Sequence, residues 1–86
     1  AYSDPLYISL DLDVLDPAFA PGVSHFEPGG LTTRELLDIL QRLQGRVVGA
    51  DIVEFNPRQD ASGRTAMVAA KLLKEMVALM ISGARL

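Results

Sequence analysis

The fold is decided by the stretch Leu6-Tyr7-Ile8-Ser9-Leu10-Asp11-Leu12-Asp13-Val14-Leu15-Asp16-Pro17. From Leu6 to Asp13 its residues alternate. Ile8, Leu10 and Leu12 fall on one side, and Tyr7, Ser9, Asp11 and Asp13 on the other. That period of two belongs to a β-strand, not to a helix. Pro5 and the Asp16-Pro17 turn signal bound it.

Downstream, the chain from Asp16 to Gly30 reads as a loop punctuated by Pro17, Pro21 and Pro28 and closed by Gly29-Gly30. A loop this long is uncommon in a compact unit unless it has a task. Thr32-x-x-Glu35 is a capping box. Leu36, Leu37, Leu40 and Leu43 then form one apolar helical face, with Gly45 as its stop signal. Val47 to Phe55 is a second strand, apolar except at Asp51 and Glu54. Such near-continuous apolar strands belong to parallel sheets buried on both faces. Asn56 to Gly63 is a polar loop. Arg64 to about Ile81 is a helix, with Val68, Leu72, Met76 and Met80 at helical spacing and Gly83 past its end. Met67 joins Met76 and Met80 as expected core.

Strand, helix and strand in this order make a right-handed βαβ unit. Two parallel strands and two helices cannot cover both sheet faces. The further strands of a larger sheet are therefore expected outside these residues. The first residues, Ala1-Tyr2-Ser3-Asp4, carry no initiator Met, basic region or apolar core. They read as a cut edge inside a larger protein and not as a targeting peptide.

Composition narrows the function. The 86 residues are 49% hydrophobic and 22% charged, which is the balance of a packed unit and not of a disordered tail. A net charge of -3 argues against a nucleic-acid partner. The absence of Cys excludes disulfides and thiolate metal sites. The nearly apolar run Met76 to Ile81 is far too short to span a membrane.

The acids point to chemistry. In an open parallel sheet, ligands bind at the carboxyl ends of the strands. The first strand puts Asp11 and Asp13 there, and the second puts Asp51 and Glu54. Asp11 and Asp13 share one parity, which places them about 7 Å apart at the backbone. Burying two unpaired carboxylates would cost several kcal/mol. A divalent cation removes that cost, and oxygen ligands suit Mg or Mn. From the residues alone, a metal site and solvated turn caps both stay open. A calcium loop is excluded, because the Gly and Glu that it needs are missing. A phosphoryl-transfer Asp-x-Asp leaves Asp16-Pro17 and the Pro/Gly loop unexplained.

The run Ser9-Leu10-Asp11-Leu12-Asp13-Val14-Leu15-Asp16-Pro17-Ala18-Phe19-Ala20-Pro21-Gly22 resembles the signature of the ureohydrolase family, the arginases, agmatinases and their relatives. The likeness continues through Gly29-Gly30-Leu31-Thr32 and Ala50-Asp51-Ile52-Val53-Glu54-Phe55-Asn56-Pro57. The loop Pro21 to Gly30, with His25, looks closest to plant-type arginases.

The resemblance implies an α/β fold, a parallel-sheet three-layer α/β/α arginase-like domain. Residues 1–86 would be its C-terminal β-loop-α-β-α part. It implies a hydrolase that splits a guanidino group with two Mn ions, with L-arginine giving L-ornithine and urea as the leading activity. Agmatinase or another guanidino hydrolase is the alternative, and an inert truncated piece is the non-enzymatic one. By this likeness Asp11 and Asp13 are metal ligands, Glu54 holds the substrate guanidinium, Thr32 lies near the substrate and Asp51 stands behind the ligands. The remaining ligands and the catalytic His of the family have no counterpart here. The chain alone is therefore expected to be inactive. Expected partners are a small guanidino substrate and, for the whole protein, identical subunits in a trimer or hexamer, with no nucleic acid and no membrane. The compartment is mitochondrial if the protein is plant-type and otherwise cytoplasmic. His25 is expected to pack within its loop or hydrogen-bond to it. Phe19, Phe26 and Tyr7 are read as packing residues, and Arg58 and Arg64 as solvated or interface charges.

Overall fold

A computed structural model describes residues 4–84. The Ala1 to Ser3 segment, read above as part of a cut edge, lies outside the described residues. Two strands and two α-helices alternate: β1 (Pro5–Asp11), α1 (Thr33–Gln41), β2 (Arg46–Val53) and α2 (Arg64–Ala84). One-turn 3-10 helices follow each strand, at Leu12–Val14 and Pro57–Gln59. The strands pair in parallel, with Ser9 opposite Asp51 and Asp11 opposite Val53. The α/β architecture and the parallel pairing agree with the sequence reading.

Both helices pack on one face of this sheet. Ile8 and Leu10 of β1 and Ala50 and Ile52 of β2 meet Leu36, Leu37 and Leu40 of α1 and Leu72 and Met76 of α2. Leu12, Leu72 and Met76 are fully buried. Each such side chain contributes about 1.5–3 kcal/mol relative to its exposed state. Thr32 caps α1 as its spacing predicts, with its hydroxyl accepting from the Glu35 amide and its own amide donating to the Glu35 carboxylate.

The opposite face is open. Tyr7, Ser9 and Asp11 lie there in a row beside Gly49, Asp51 and Val53. Tyr7 is 63% exposed, although it was expected to pack. The outward side of α2 is apolar as well: Leu73, Val77 and Ile81 are exposed, and Met67, expected in the core, is 75% exposed. Met67 lies in the first turn of α2, beyond the cluster that seats Leu72 and Met76. No described helix is long and apolar enough to cross a membrane.

Several boundaries differ from the sequence reading, each for a local reason. β1 stops at Asp11 because its carboxylate caps the following 3-10 turn. α1 stops at Gln41, where the amides of Arg42 and Leu43 fold onto the carbonyls of Ile39 and Leu40. Leu43 therefore lies past the helix and is exposed. Gly45 serves β2 instead. Its φ is +131°, and a side chain there would sit 2.6 Å from Leu6. β2 stops at Val53 because Glu54 turns into the left-handed region at φ 72°. α2 continues past Ile81 through Gly83 to Ala84.

Candidate functional site

The carboxyl ends of β1 and β2 lie side by side, because Asp11 and Val53 are register partners. Glu54 is the next residue after Val53. The two strands thus bring Asp11 and Glu54 to one edge, as the parallel pairing requires.

Asp11 is exposed on the open sheet face. One of its oxygens accepts the Asp13 amide at 2.8 Å. This bond starts the 3-10 turn and corrects one expectation: Asp13 is not two residues along a strand from Asp11. The turn, and not strand parity, sets where Asp13 goes. Its backbone amide is drawn back onto the Asp11 carboxylate.

Glu54 is the only non-glycine residue with positive φ among the described residues. Holding a side chain in that region costs about 1–3 kcal/mol. Such strain persists where the surroundings impose it, and it gathers at sites where a side chain must be aimed. The sequence names Glu54 for its charge but carries no sign of this geometry.

Behind Asp11 on the same face lies a hydrogen-bonded set that the sequence did not reveal. Asp51 accepts from Ser9 Oγ at 2.7 Å and from the Tyr7 hydroxyl at 2.9 Å. The Tyr7 ring passes over Gly49, where a side chain would come within 2.9 Å of it. The hydrogen bond to the Asp51 carboxylate raises the Tyr7 pKa above its usual value, since ionising the phenol would lose it. The available signal was two hydroxyl residues at the parity of Asp11, facing an acid on the paired strand.

The long loop forms a closed Ω. Its neck is a bridge between Leu15 and Leu31, with the Asp16 amide on the Leu31 carbonyl at 2.8 Å and the Leu31 amide on the Val14 carbonyl at 2.9 Å. The Asp16 carboxylate ties the two sides together through the amides of Ala18 and Gly29, and these bonds hold its pKa below the usual value. Gly30 is required at the neck, since a Cβ there would lie 2.6–2.8 Å from backbone atoms of Val14, Leu15 and Asp16.

The middle of the loop is fastened to the β2–α2 connection. The Gly22 amide donates to the buried Thr65 hydroxyl at 2.7 Å. The Asn56 amide donates to the Gly22 carbonyl at 2.7 Å, and Asn56 Nδ2 donates to Ser24 Oγ at 3.0 Å. Arg64, expected to be a solvated or interface charge, donates to the Ala18 carbonyl at 2.9 Å. Asp60 receives the Thr65 and Ala66 amides at the start of α2. Burial pushes its pKa up, but these donors outweigh that and leave it lowered.

From Ser24 to Gly30 the loop tip is exposed. His25 makes no hydrogen bond among the described residues, so the expected loop-holding role is not met. Phe26 beside it is 55% exposed and does not pack either. Thr32 is engaged as the α1 cap, which leaves its hydroxyl proton free to donate.

The donor chemistry fits a hard divalent cation in part. Asp11 and Asp13 offer carboxylate oxygens at an exposed strand end. No group of three or more His, Asp or Glu placed to hold a metal occurs among the described residues.

Residues 1–78 match the Arginase family. The chain belongs to the arginase family. Over 74 residues it is 66% identical to "Arginase 1, mitochondrial" of Arabidopsis thaliana, covering 85% of this chain and 22% of that protein. Among solved structures, "Arginase from Medicago truncatula" superposes with a TM-score of 0.83 at 53% identity, over 92% of this chain and 28% of that one. "Hypothetical Agmatinase from Burkholderia thailandensis" gives a TM-score of 0.84 at 39% identity, over 91% of this chain and 25% of that one. The fold is arginase-like, and the chain spans about a fifth of the length of the curated relative it matches. Backbone shape does not separate the arginase from the agmatinase, because the two superpositions are equal within 0.01 in TM-score. Identity does separate them, at 53% against 39%.

Proposed function

We propose that these residues form the C-terminal part of a single-domain, manganese-dependent hydrolase that cleaves the guanidino group of L-arginine to give L-ornithine and urea. The observation that carries the reading is the placement of Asp11 and the strained Glu54 at the same end of two paired parallel strands. The identity to proteins named arginase supports arginine over agmatine as substrate. The same relative is named mitochondrial, which supports that compartment.

Asp11 and Asp13 hold manganese through carboxylate oxygens, completed by ligands from elsewhere in the protein. These residues would hold a metal whose Lewis acidity, when it is bound, would bring the pKa of water towards neutrality. Glu54 receives the planar guanidinium, whose paired N–H groups match the two oxygens of a carboxylate. Its left-handed backbone ends β2 at that residue. Asp51, braced by Tyr7 and Ser9, stiffens the sheet immediately behind Asp11. Thr32 offers its hydroxyl proton from the end of the loop towards the substrate. Residues 1–86 alone release no urea, and the whole protein assembles as a trimer or hexamer.

The test is urea release by the full-length protein with arginine and with agmatine, paired with manganese analysis. Asp11→Ala is expected to lose metal and activity together. Glu54→Gln is expected to keep the metal and bind substrate poorly. Exclusive agmatine hydrolysis would replace the arginase reading with agmatinase. Full manganese and full rate in Asp11→Ala would remove the ligand assignment.

A further inference from the structure

Resting on the manganese reading above, we propose that Tyr7 is a positioning residue of the metal site. It acts through Asp51, whose carboxylate it fixes together with Ser9, and it thereby sets how tightly manganese is retained.

Packing does not explain where Tyr7 lies. It is 63% exposed, so little burial holds it. What holds it is a diagonal reach across the sheet. The register partner of Tyr7 is Gly49, yet its hydroxyl donates to Asp51 at 2.9 Å, two residues nearer the carboxyl end of β2. The ring takes that path because Gly49 has no side chain. A Cβ there would lie 2.9 Å from two of the ring carbons. Ser9, the direct partner of Asp51, donates to the other carboxylate oxygen at 2.7 Å. Two hydroxyls and one glycine are thus committed to a single carboxylate.

A pair that only strengthened the sheet would need one such bond, between residues directly opposite each other. Here each oxygen of Asp51 is held separately, which fixes the plane of the carboxylate. Asp51 lies one register step behind Asp11 on the same open face. An ionised carboxylate has about four acceptor sites, and the two hydroxyls fill two of them. The others take no donor among the described residues. Ligands beyond Asp11 and Asp13 must come from outside these residues, since no described group of three could hold a metal. A fixed carboxylate beside the site is the kind of support that keeps such ligands in orientation, and its loss typically weakens metal binding about 10–100-fold. The Tyr7 phenol keeps its proton for this bond, because the bond itself raises its pKa above the usual value.

The test uses the full-length protein, stripped of metal and titrated with manganese, as wild type, Tyr7→Phe, Asp51→Ala and the double variant. Manganese affinity, the metal-free thermal midpoint, and kcat and KM for arginine are measured on each. Phenylalanine keeps the ring and removes only the hydroxyl. Tyr7→Phe is expected to weaken manganese binding about tenfold, at the lower end of that range, with the metal-free midpoint unchanged. Its kcat is expected to fall at limiting manganese and to return at excess, with KM for arginine unchanged, because Glu54 and not Tyr7 meets the guanidinium. The double variant is expected to bind manganese within about twofold of Asp51→Ala, as it must if Tyr7 acts through Asp51. A Tyr7→Phe protein within about twofold of wild type in manganese affinity would overturn the proposal. So would full additivity in the double variant, or an affinity loss matched by a lower metal-free midpoint, which would make Tyr7 a structural residue. Wild type that holds no manganese would bring down the metal reading and this proposal together. Wild type that holds manganese but hydrolyses neither arginine nor agmatine would bring down the hydrolase reading alone.

Discussion

Thr65→Val tests the contact that fastens the long loop to α2. Thr65 is fully buried, and its hydroxyl works in both directions. It accepts the Gly22 amide at 2.7 Å and it hydrogen-bonds to the Asp60 carboxylate. Valine has nearly the same shape but no hydroxyl. The substitution removes the acceptor of the Gly22 N–H, whose hydrogen bond to Thr65 is buried. An unsatisfied buried donor costs about 1–3 kcal/mol. For a domain several times the length of these residues, each kcal/mol lowers the thermal midpoint by only roughly 2–4 °C. Thr65→Ser is the control. It keeps the oxygen and loses one methyl group, worth about 0.8 kcal/mol of burial plus any cavity term. Urea unfolding and thermal melts of both variants, with amide exchange at Gly22, measure the difference. Valine is expected to be the more damaging substitution, and to raise Gly22 exchange about five- to 150-fold. If valine were tolerated as well as wild type, or if serine cost more than valine, the hydrogen bond would not be what holds the loop.

Glu54→Gly is expected to abolish substrate binding while leaving stability unchanged or raising it by up to about 1 kcal/mol, since glycine accepts φ 72° without penalty; a clear loss of stability by melting would contradict the strain. Thr32→Ala removes the α1 cap and should cost about 0.5–2 kcal/mol in urea unfolding, with loss of α1 amide protection as the local sign. Asp16 (through the Ala18 and then the Gly29 amide) and Glu75 (through Gln41 and then Lys71) have folded pKa values below their usual ones. Their stabilisation is present above the unfolded pKa, near 4, and is lost as pH falls through the lower folded values. Melts between neutral and strongly acidic pH should therefore show an acid loss that is shallower in Asp16→Asn; an identical slope in that variant would exclude Asp16 as a contributor.

The sequence by itself determined the element order, the parallel sheet and the capping of α1. Each of these is written in local periods: alternation at Ile8, Leu10 and Leu12, helical spacing at Leu36, Leu37 and Leu40, and the Thr32-x-x-Glu35 pair. It also singled out Asp11, Asp13 and Glu54, because acids at the carboxyl ends of parallel strands stand out against apolar runs. It could not place Asp13, since the bond from its amide to the Asp11 carboxylate ends the strand and breaks the parity on which the sequence argument relied. It gave no account of Tyr7, whose reach to Asp51 needs Gly49 on the neighbouring strand. Nor could it give His25 its setting, because the Asn56–Ser24 bond joins residues 32 positions apart. Local preferences reach only as far as neighbouring residues along the chain. The turn after Asp11, the strain at Glu54 and the anchoring of the loop arise from packing between distant segments, and only the tertiary structure decided them.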